Sequence, residues 1–320
     1  MGQERGILTL ESLGEHVLAD GQAEIRGVVQ GLTSLNLTLL FPLARWRQDR
    51  AWSQPWVRWL LFFALTPLVL IHLTPGIQRV AWVFGLYFAL LWGLLLFRLI
   101  RPGAVRVAPW LAVGAFTALL GIPVVIGLAR LPFIGTFYAA REVSYAPVRI
   151  LGYVLGVGVV EEVVKLLPVW WLAHRRLLVA PRELMFVGAV SGLAFGVAES
   201  VAYSVRIARE DLLHAVGQGE ALAGYFARFI TTPFLHAVFC AIVAYFLGLS
   251  GINRQWGWAL VVAGLTLAAV LHGLYDSFAS HWLGLAVAAL AILVFVGYVR
   301  SAEQIAEDLV RHTAQPPDRE

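Results

Sequence analysis

GVVEEVVKLLPVWWLAHRR, residues 158–176, sets two glutamates and a lysine inside a segment that otherwise reads as an apolar, membrane-length helix. The surrounding chain decides which reading is right, because it is 59% hydrophobic and only 14% charged, with repeated apolar runs of about 18 residues or more. That exceeds what a soluble core needs. The sequence therefore predicts an all-α, polytopic membrane protein with about eight transmembrane helices, at 57–73, 80–97, 107–129, 147–172, 184–205, 225–249, 256–278 and 282–299. Tryptophans gather at the ends of these runs (Trp56, Trp59, Trp170, Trp171, Trp256 and Trp282), where amphipathic rings settle at headgroup level.

Outside the spans the chain divides into an N-terminal cytoplasmic or interfacial segment (1–55), a transmembrane domain (56–300, with its polar core in 146–280) and a C-terminal tail (301–320). Residues 27–43 are apolar but studded with Gln, Thr, Ser and Asn, which suits an interfacial piece better than a span. The first residues lack a basic stretch followed by an apolar one, so the first span is expected to serve as its own insertion signal. In the tail, Ala302, Ile305 and Leu309 mark a short amphipathic helix, with order lost at Pro316 and Pro317.

The net charge of +4 comes from arginines scattered over loops rather than gathered on one soluble face, so nucleic acid is not an expected partner. Membrane orientation accounts for them better. With the N-terminus inside, Arg45, Arg47, Arg50 and Arg58, then Arg98, Arg101 and Arg106, then Arg175, Arg176 and Arg182, then Arg254 and Arg300 fall on the cytoplasmic side. Both termini are expected in the cytoplasm, and the bilayer is expected to be a bacterial-type plasma membrane. The single cysteine, Cys240, lies mid-span, so no intramolecular disulfide can form, and a packing role is expected for it.

An ionisable group near the bilayer centre costs roughly 2.5 to 3.5 kcal/mol on insertion scales, so such groups persist mainly where they pair or work. Here they are concentrated in the second half of the chain: Glu161, Glu162 and Lys165 in the fourth span, Glu199 in the fifth, His236 in the sixth, and His272 and Asp276 in the seventh. Lys165 is the only lysine against 23 arginines, and it lies three and four residues from the two glutamates, on one helical face. One glutamate and one lysine would suffice to lock two helices together. The second glutamate leaves a charge that needs another partner.

Counted from the cytoplasmic ends at roughly 1.5 Å per residue, Glu161, Glu199, His236 and His272 lie about 17 to 24 Å deep on four different helices, so one pocket can hold them all. Gly188, Gly192 and Gly196 make a smooth strip on the fifth span that leads to Glu199, and Gly152 and Gly156 make a similar patch on the fourth. In the sixth span Pro233 either frees the carbonyl of Phe229 or starts the helix with Thr232 as its cap. In LHGLYDSF, Asp276 follows His272 by four residues, where a carboxylate can fix the imidazole tautomer.

Taken in order, EEVVK, FGVAES with its F-x-x-x-E, RFITTPFLHAVFCAIVAYFLG and HGLYD place four motifs on four successive helices across 158–276. This series resembles the PrsW family of intramembrane proteases, of glutamic type, related to the CAAX-processing and bacteriocin-processing membrane proteases with their EExxxR, FxxxH and HxxxN motifs. Here the basic residue comes one place earlier, as lysine, and the second motif ends in glutamate, which favours the PrsW branch. Ser200 stands where that family often has asparagine, and Asp276 ends the last motif. The first 145 residues show no specific resemblance. The resemblance implies an intramembrane endopeptidase acting on membrane-anchored protein substrates, anti-sigma factors being the best-known type.

Peptide hydrolysis needs an activated water, a group that stabilises the developing oxyanion and a proton donor for the leaving amine. The residues assign these roles to Glu161 or Glu162 as activator and to His236 and His272 as polarising or donating groups, with Lys165, Glu199 and Asp276 in support. The expectation on cofactors is none, with Zn2+ as the other possibility, held by Glu161, Glu162, His236 and His272. No HExxH places two ligands on one helix, and Lys165 would compete for the carboxylates. The alternative reading is a proton-coupled transporter using the same Glu, His and Asp residues, against which stand the absence of an inverted repeat and the confinement of polarity to one half of the chain.

Overall fold

The computed structural model describes residues 77–103, 107–178, 180–214, 218–253, 255–279 and 281–314, together with Pro55 and Arg58. The chain divides into two compact units, 1–62 and 63–320, and the helices from Ile77 onward belong to the second. The expected interfacial piece at 27–43, the first span at 57–73 apart from Arg58, and the end of the tail at Pro316 and Pro317 lie outside the described residues.

Every described element of this unit is helical, in the order α1 (Ile77–Ile100), α2 (Val107–Leu128), α3 (Pro132–Ala140), α4 (Ala146–Leu151), a π-helical segment (Gly152–Gly158), α5 (Val159–His174), α6 (Pro181–His214), α7 (Gln218–Ile252), α8 (Gly257–Ser277) and α9 (Trp282–Ala314). Among the described residues, six stretches are long and apolar enough to cross a membrane: Ala81–Ile100, Val107–Leu128, Pro181–Ser204, Ala227–Ile252, Gly257–Ser277 and Trp282–Arg311. The stretch expected to span at 147–172 is helical throughout, as α4, the π segment and α5 run together, and stands apart from those six. The protein is thus all-α and polytopic, and about eight spans remains a fair count of its design.

Two features differ from the sequence expectation. A short helix, α3, stands between the third and fourth spans, opened by Pro132 at its first turn, where the missing N–H costs nothing. The last span does not stop near 299 but continues to Ala314 as one helix, because Ala302 and Leu309 keep one face buried against the core. The amphipathic tail helix is therefore the end of α9 rather than a separate piece.

Burial separates the helices into a centre and a ring. In α6 and α7 about four-fifths of the spanning window is buried (83% and 78%), against 17% in α1 and 22% in α2. Leucines of α1 and α2, such as Leu90, Leu111 and Leu119, point outward, as a lipid-facing surface requires. Trp170, Trp171, Trp256 and Trp282 are exposed near helix ends, as anchors at headgroup level should be.

The central pair comes together through glycine. A Cβ added at Gly192 would collide with the carbonyl oxygen of His236, and one at Gly196 would lie 2.6 Å from Pro233 Cα, so α6 and α7 touch backbone to backbone beside the site. Pro233 lies inside α7, which selects the first of the two readings: it cannot donate to the carbonyl of Phe229, and the helix runs through. We expect Gly192→Val to separate the pair and destabilise the protein by more than the 1–3 kcal/mol or so typical of overpacking, because the obstacle is backbone and cannot rotate away. Thermal unfolding in detergent measures it, and an unchanged midpoint would contradict this packing.

On the other side of the site, the π segment opens the helix by one residue, with Val159 N donating to Val154 O. Its glycines are wedged between two neighbours. A Cβ at Gly156 would meet the backbone of Phe137 and Tyr138 in α3 at 2.7 Å, and one at Gly158 would meet Ala269 O of α8 at 2.5 Å. The close approach of α8 brings His272 opposite the first turn of α5, where Glu161 and Glu162 stand.

Candidate active site

The seven polar residues singled out in the sequence converge on one buried cluster formed by α5, α6, α7 and α8. Glu162, Lys165 and His272 are at most 2% exposed, and Glu161 and His236 stay below a tenth. Lys165 sits at the hub. Its Nζ donates to Glu162 Oε1 at 2.7 Å, lies 3.6 Å from Glu161 Oε2 and is 2.7 Å from His236 Nδ1. The i, i+3 and i, i+4 spacings on α5 thus act as read, but the third partner comes from α7.

The two imidazoles are held in matching ways. An ammonium can only donate, so His236 Nδ1 accepts from Lys165 and the ring proton lies on Nε2, which donates to Glu199 Oε2 at 2.7 Å. His272 Nδ1 donates to the Glu162 carboxylate at 2.9 Å, leaving its Nε2 lone pair facing inward. Each ring is therefore anchored by a carboxylate on one nitrogen and turns the other toward Glu161, with that of His236 also accepting from Lys165. Asp276 Oδ2 lies 3.5 Å from His272 Nε2, the inward nitrogen. The ring of His272 thus lies between two carboxylates, Glu162 on Nδ1 and the expected Asp276 on the side of Nε2.

At that centre stands Glu161 Oε2, a buried oxygen with no hydrogen-bond partner among the described residues. It lies 3.7 Å from His272 Nε2 and 4.0 Å from His236 Nδ1, too far for hydrogen bonds. One donor atom each from Glu161, His236 and His272 lie within 4.8 Å of one another, a spacing that a single ion can bridge. The charges agree. Among the described residues of the cluster, Glu161, Glu162, Glu199 and Asp276 face two cations, Lys165 and Arg228, so with neutral imidazoles two negative charges are uncompensated and suit a divalent ion. Carboxylate-anchored histidines are also the usual support of a metal. The residues present fit a divalent cation held by Glu161, His236 and His272 where Lys165 Nζ yields His236 Nδ1 and keeps its contact with Glu162, which lies beside the three rather than among them.

Rings complete the walls. Phe239 stacks on His272 at 5.0 Å between centroids, His236 meets His272 edge to face at 4.9 Å, and Lys165 Nζ lies 4.6 Å over the ring of Phe195. Ser191 of α6 donates to the carbonyl of Lys165 at 2.7 Å, which ties α6 to α5 one turn from the glutamates. Cys240 is fully buried, in line with a packing role. A cavity of about 80 Å³ adjoins the cluster, lined by Glu199, Arg228, His236, His272, Tyr275 and Asp276.

Arg228 is the participant that sequence reasoning missed. Its guanidinium donates to Glu199 Oε1 at 2.8 Å and lies 3.8 Å over the ring of Tyr203. The available signal was its place eight residues before His236, about two helical turns, on the same face of α7.

Among known families, the model of the PrsW family intramembrane metalloproteases aligns with residues 107–301. It extends the resemblance seen at 158–276 back to α2, in a part of the chain where the sequence alone suggested no relative. Neither the curated proteins nor the solved structures yield a match.

Proposed function

The chain belongs to the PrsW family of intramembrane metalloproteases, an integral membrane peptide hydrolase acting on membrane protein substrates, and from that premise we propose that Glu161, His236 and His272 hold a catalytic zinc ion. The observation that carries this reading is the orphaned Glu161 Oε2, buried between the inward nitrogens of two histidines. A zinc ion bound there would polarise a scissile carbonyl and lower the pKa of water toward about 7.

The protein's own groups do the rest. Glu199 and Glu162 hold the two imidazoles in register, and Lys165 balances the charge of Glu162. Glu162 Oε1 is engaged by both Lys165 and His272, and Glu161, whose Oε2 faces both imidazoles, serves as the ligand. Asp276, at the cavity and 3.5 Å from His272 Nε2, takes a proton from the attacking water and delivers it to the leaving amide nitrogen as the C–N bond breaks. The preference for a metal-free glutamate mechanism gives way here, on the donor set and on the family's description as metalloproteases.

The substrates we propose are proteins with a single membrane anchor, of the anti-sigma-factor type, cleaved in a bacterial-type plasma membrane with both termini of the protease in the cytoplasm. The arginine distribution along the loops supports that orientation. Elemental analysis of active, purified protein tests the metal. The expected result is near one zinc per chain, with cleavage of a co-reconstituted single-span substrate lost to a chelator and restored by zinc. Full activity in metal-free protein would return Glu161 to the role of base and remove zinc from the scheme.

A further inference from the structure

Arg228 opens the RFITTPFLH stretch but was given no role by the sequence, yet it ends a continuous chain of short contacts that leads to the centre. Its guanidinium grips Glu199 Oε1 at 2.8 Å, Glu199 Oε2 accepts from His236 Nε2 at 2.7 Å, and His236 Nδ1 faces Lys165 and Glu161. Glu199 and His236 sit on different helices, and the carboxylate has two oxygens and a rotatable stem. A single bond to an imidazole would leave it free to swing. The second oxygen is fixed because Arg228 holds it, and Arg228 is in turn braced by the face of Tyr203.

We propose that Arg228 is a positioning residue that, through Glu199, fixes the tautomer and orientation of His236. The proposal rests on the reading of His236 as a ligand to the catalytic ion, but its structural content stands apart from that reading. With Arg228 in place, the Glu199 carboxylate is held as an ionised acceptor facing His236 Nε2. The proton therefore stays on Nε2, and the ring stays in register, with the Nδ1 lone pair toward Lys165 Nζ at 2.7 Å and Glu161 Oε2 at 4.0 Å. Without Arg228, Glu199 loses its second anchor and shares its freedom with the ring. The ring then turns out of register with Lys165 Nζ, whose donated bond otherwise keeps a proton off Nδ1, and His236 samples the other tautomer, in which Nδ1 carries a proton and cannot serve as a donor atom to a cation.

Two other placements for Arg228 are distinguishable from this one. As a contact for the substrate backbone at the cavity mouth, it would act on KM. As a brace for helix packing alone, it would act on stability and leave the histidine unchanged.

The test uses full-length protein, metal-free and in lipid, with 15N-labelled histidine. The signals of His236 are identified by difference against His236→Asn. Wild type is expected to show His236 with its proton on Nε2, Arg228→Gln to show both tautomers, and Arg228→Lys, which keeps a cation beside Glu199, to recover most of the wild-type form. Retention of the Nε2–H form alone in Arg228→Gln overturns the proposal, and the lysine variant keeps the comparison available where the glutamine variant folds poorly.

In zinc-loaded protein, Arg228→Gln is expected to bind zinc about 10 to 100 times more weakly, the range typical for loss of an outer hydrogen-bond partner of a ligand, and to lower kcat with KM within about twofold. Adding it to Glu199→Gln should cause little further loss, since both act through one contact. A rise in KM alone, or fully additive losses, overturns the proposal. Failure of wild type to bind zinc would overturn the metal reading and leave the tautomer measurement to decide the role of Arg228.

Discussion

Glu161→Gln is expected to lower cleavage of a membrane-anchored substrate by about 10³-fold or more, on the scale of losing a principal acid–base or ligand group, and to abolish stoichiometric zinc. The substitution keeps the volume of the side chain and removes only the charge of the oxygen on which His236 and His272 converge. Because Glu161 Oε2 makes no hydrogen bond to the described residues, an amide in its place strands no partner, and the protein should fold with an unchanged unfolding midpoint. Loss of activity with retained stability is the signature of a group kept for chemistry. Cleavage within tenfold of wild type, measured with purified protein in lipid vesicles, would falsify the assignment of the site.

Lys165→Met is expected to have the largest effect on stability. Glu162 is fully buried and rests on Lys165 Nζ at 2.7 Å, so methionine fills the space but leaves a carboxylate without its counter-charge. Breaking one side of a buried pair costs roughly 3–5 kcal/mol, more than removing both. The double variant Lys165→Met with Glu162→Gln should therefore be more stable than the single one, although both are inactive. Lys165→Arg should also fail, because the ammonium is enclosed by Glu162, His236 and the ring of Phe195, which leave no place for a planar fork. Reversible unfolding in detergent or bicelles measures these differences. A single variant as stable as wild type would mean that Glu162 is neutral or otherwise paired.

Much of this protein was legible in the chain because a membrane raises the cost of every polar residue. Glu161, Glu162, Lys165, Glu199, His236, His272 and Asp276 stood out against apolar surroundings, and their similar depth already placed them on one level. The spacing of Gly188, Gly192 and Gly196 similarly marked the face on which α6 meets α7. Arg228 was less legible, since an arginine at the end of an apolar span is what headgroups ordinarily attract, and only the position of Glu199 shows that it turns inward.

By itself, then, the sequence determined that this is a helical membrane protein with a polar centre and marked seven of the residues that meet there, because hydrophobic periodicity and the cost of burial are local properties of each segment. Only the tertiary structure decided which contacts each of them makes. Glu161 and Glu162 are adjacent in sequence and indistinguishable by composition, and each keeps one unbonded buried oxygen, yet Glu162 Oε1 is held by Lys165 and His272 while only Glu161 sets its free oxygen between two imidazoles. That difference arises from the π segment and its glycine contact with α8, and from the glycine contacts of α6 with α7, which set the rotation of each helix. Which side of a helix faces which partner is a long-range property, and no local pattern encodes it.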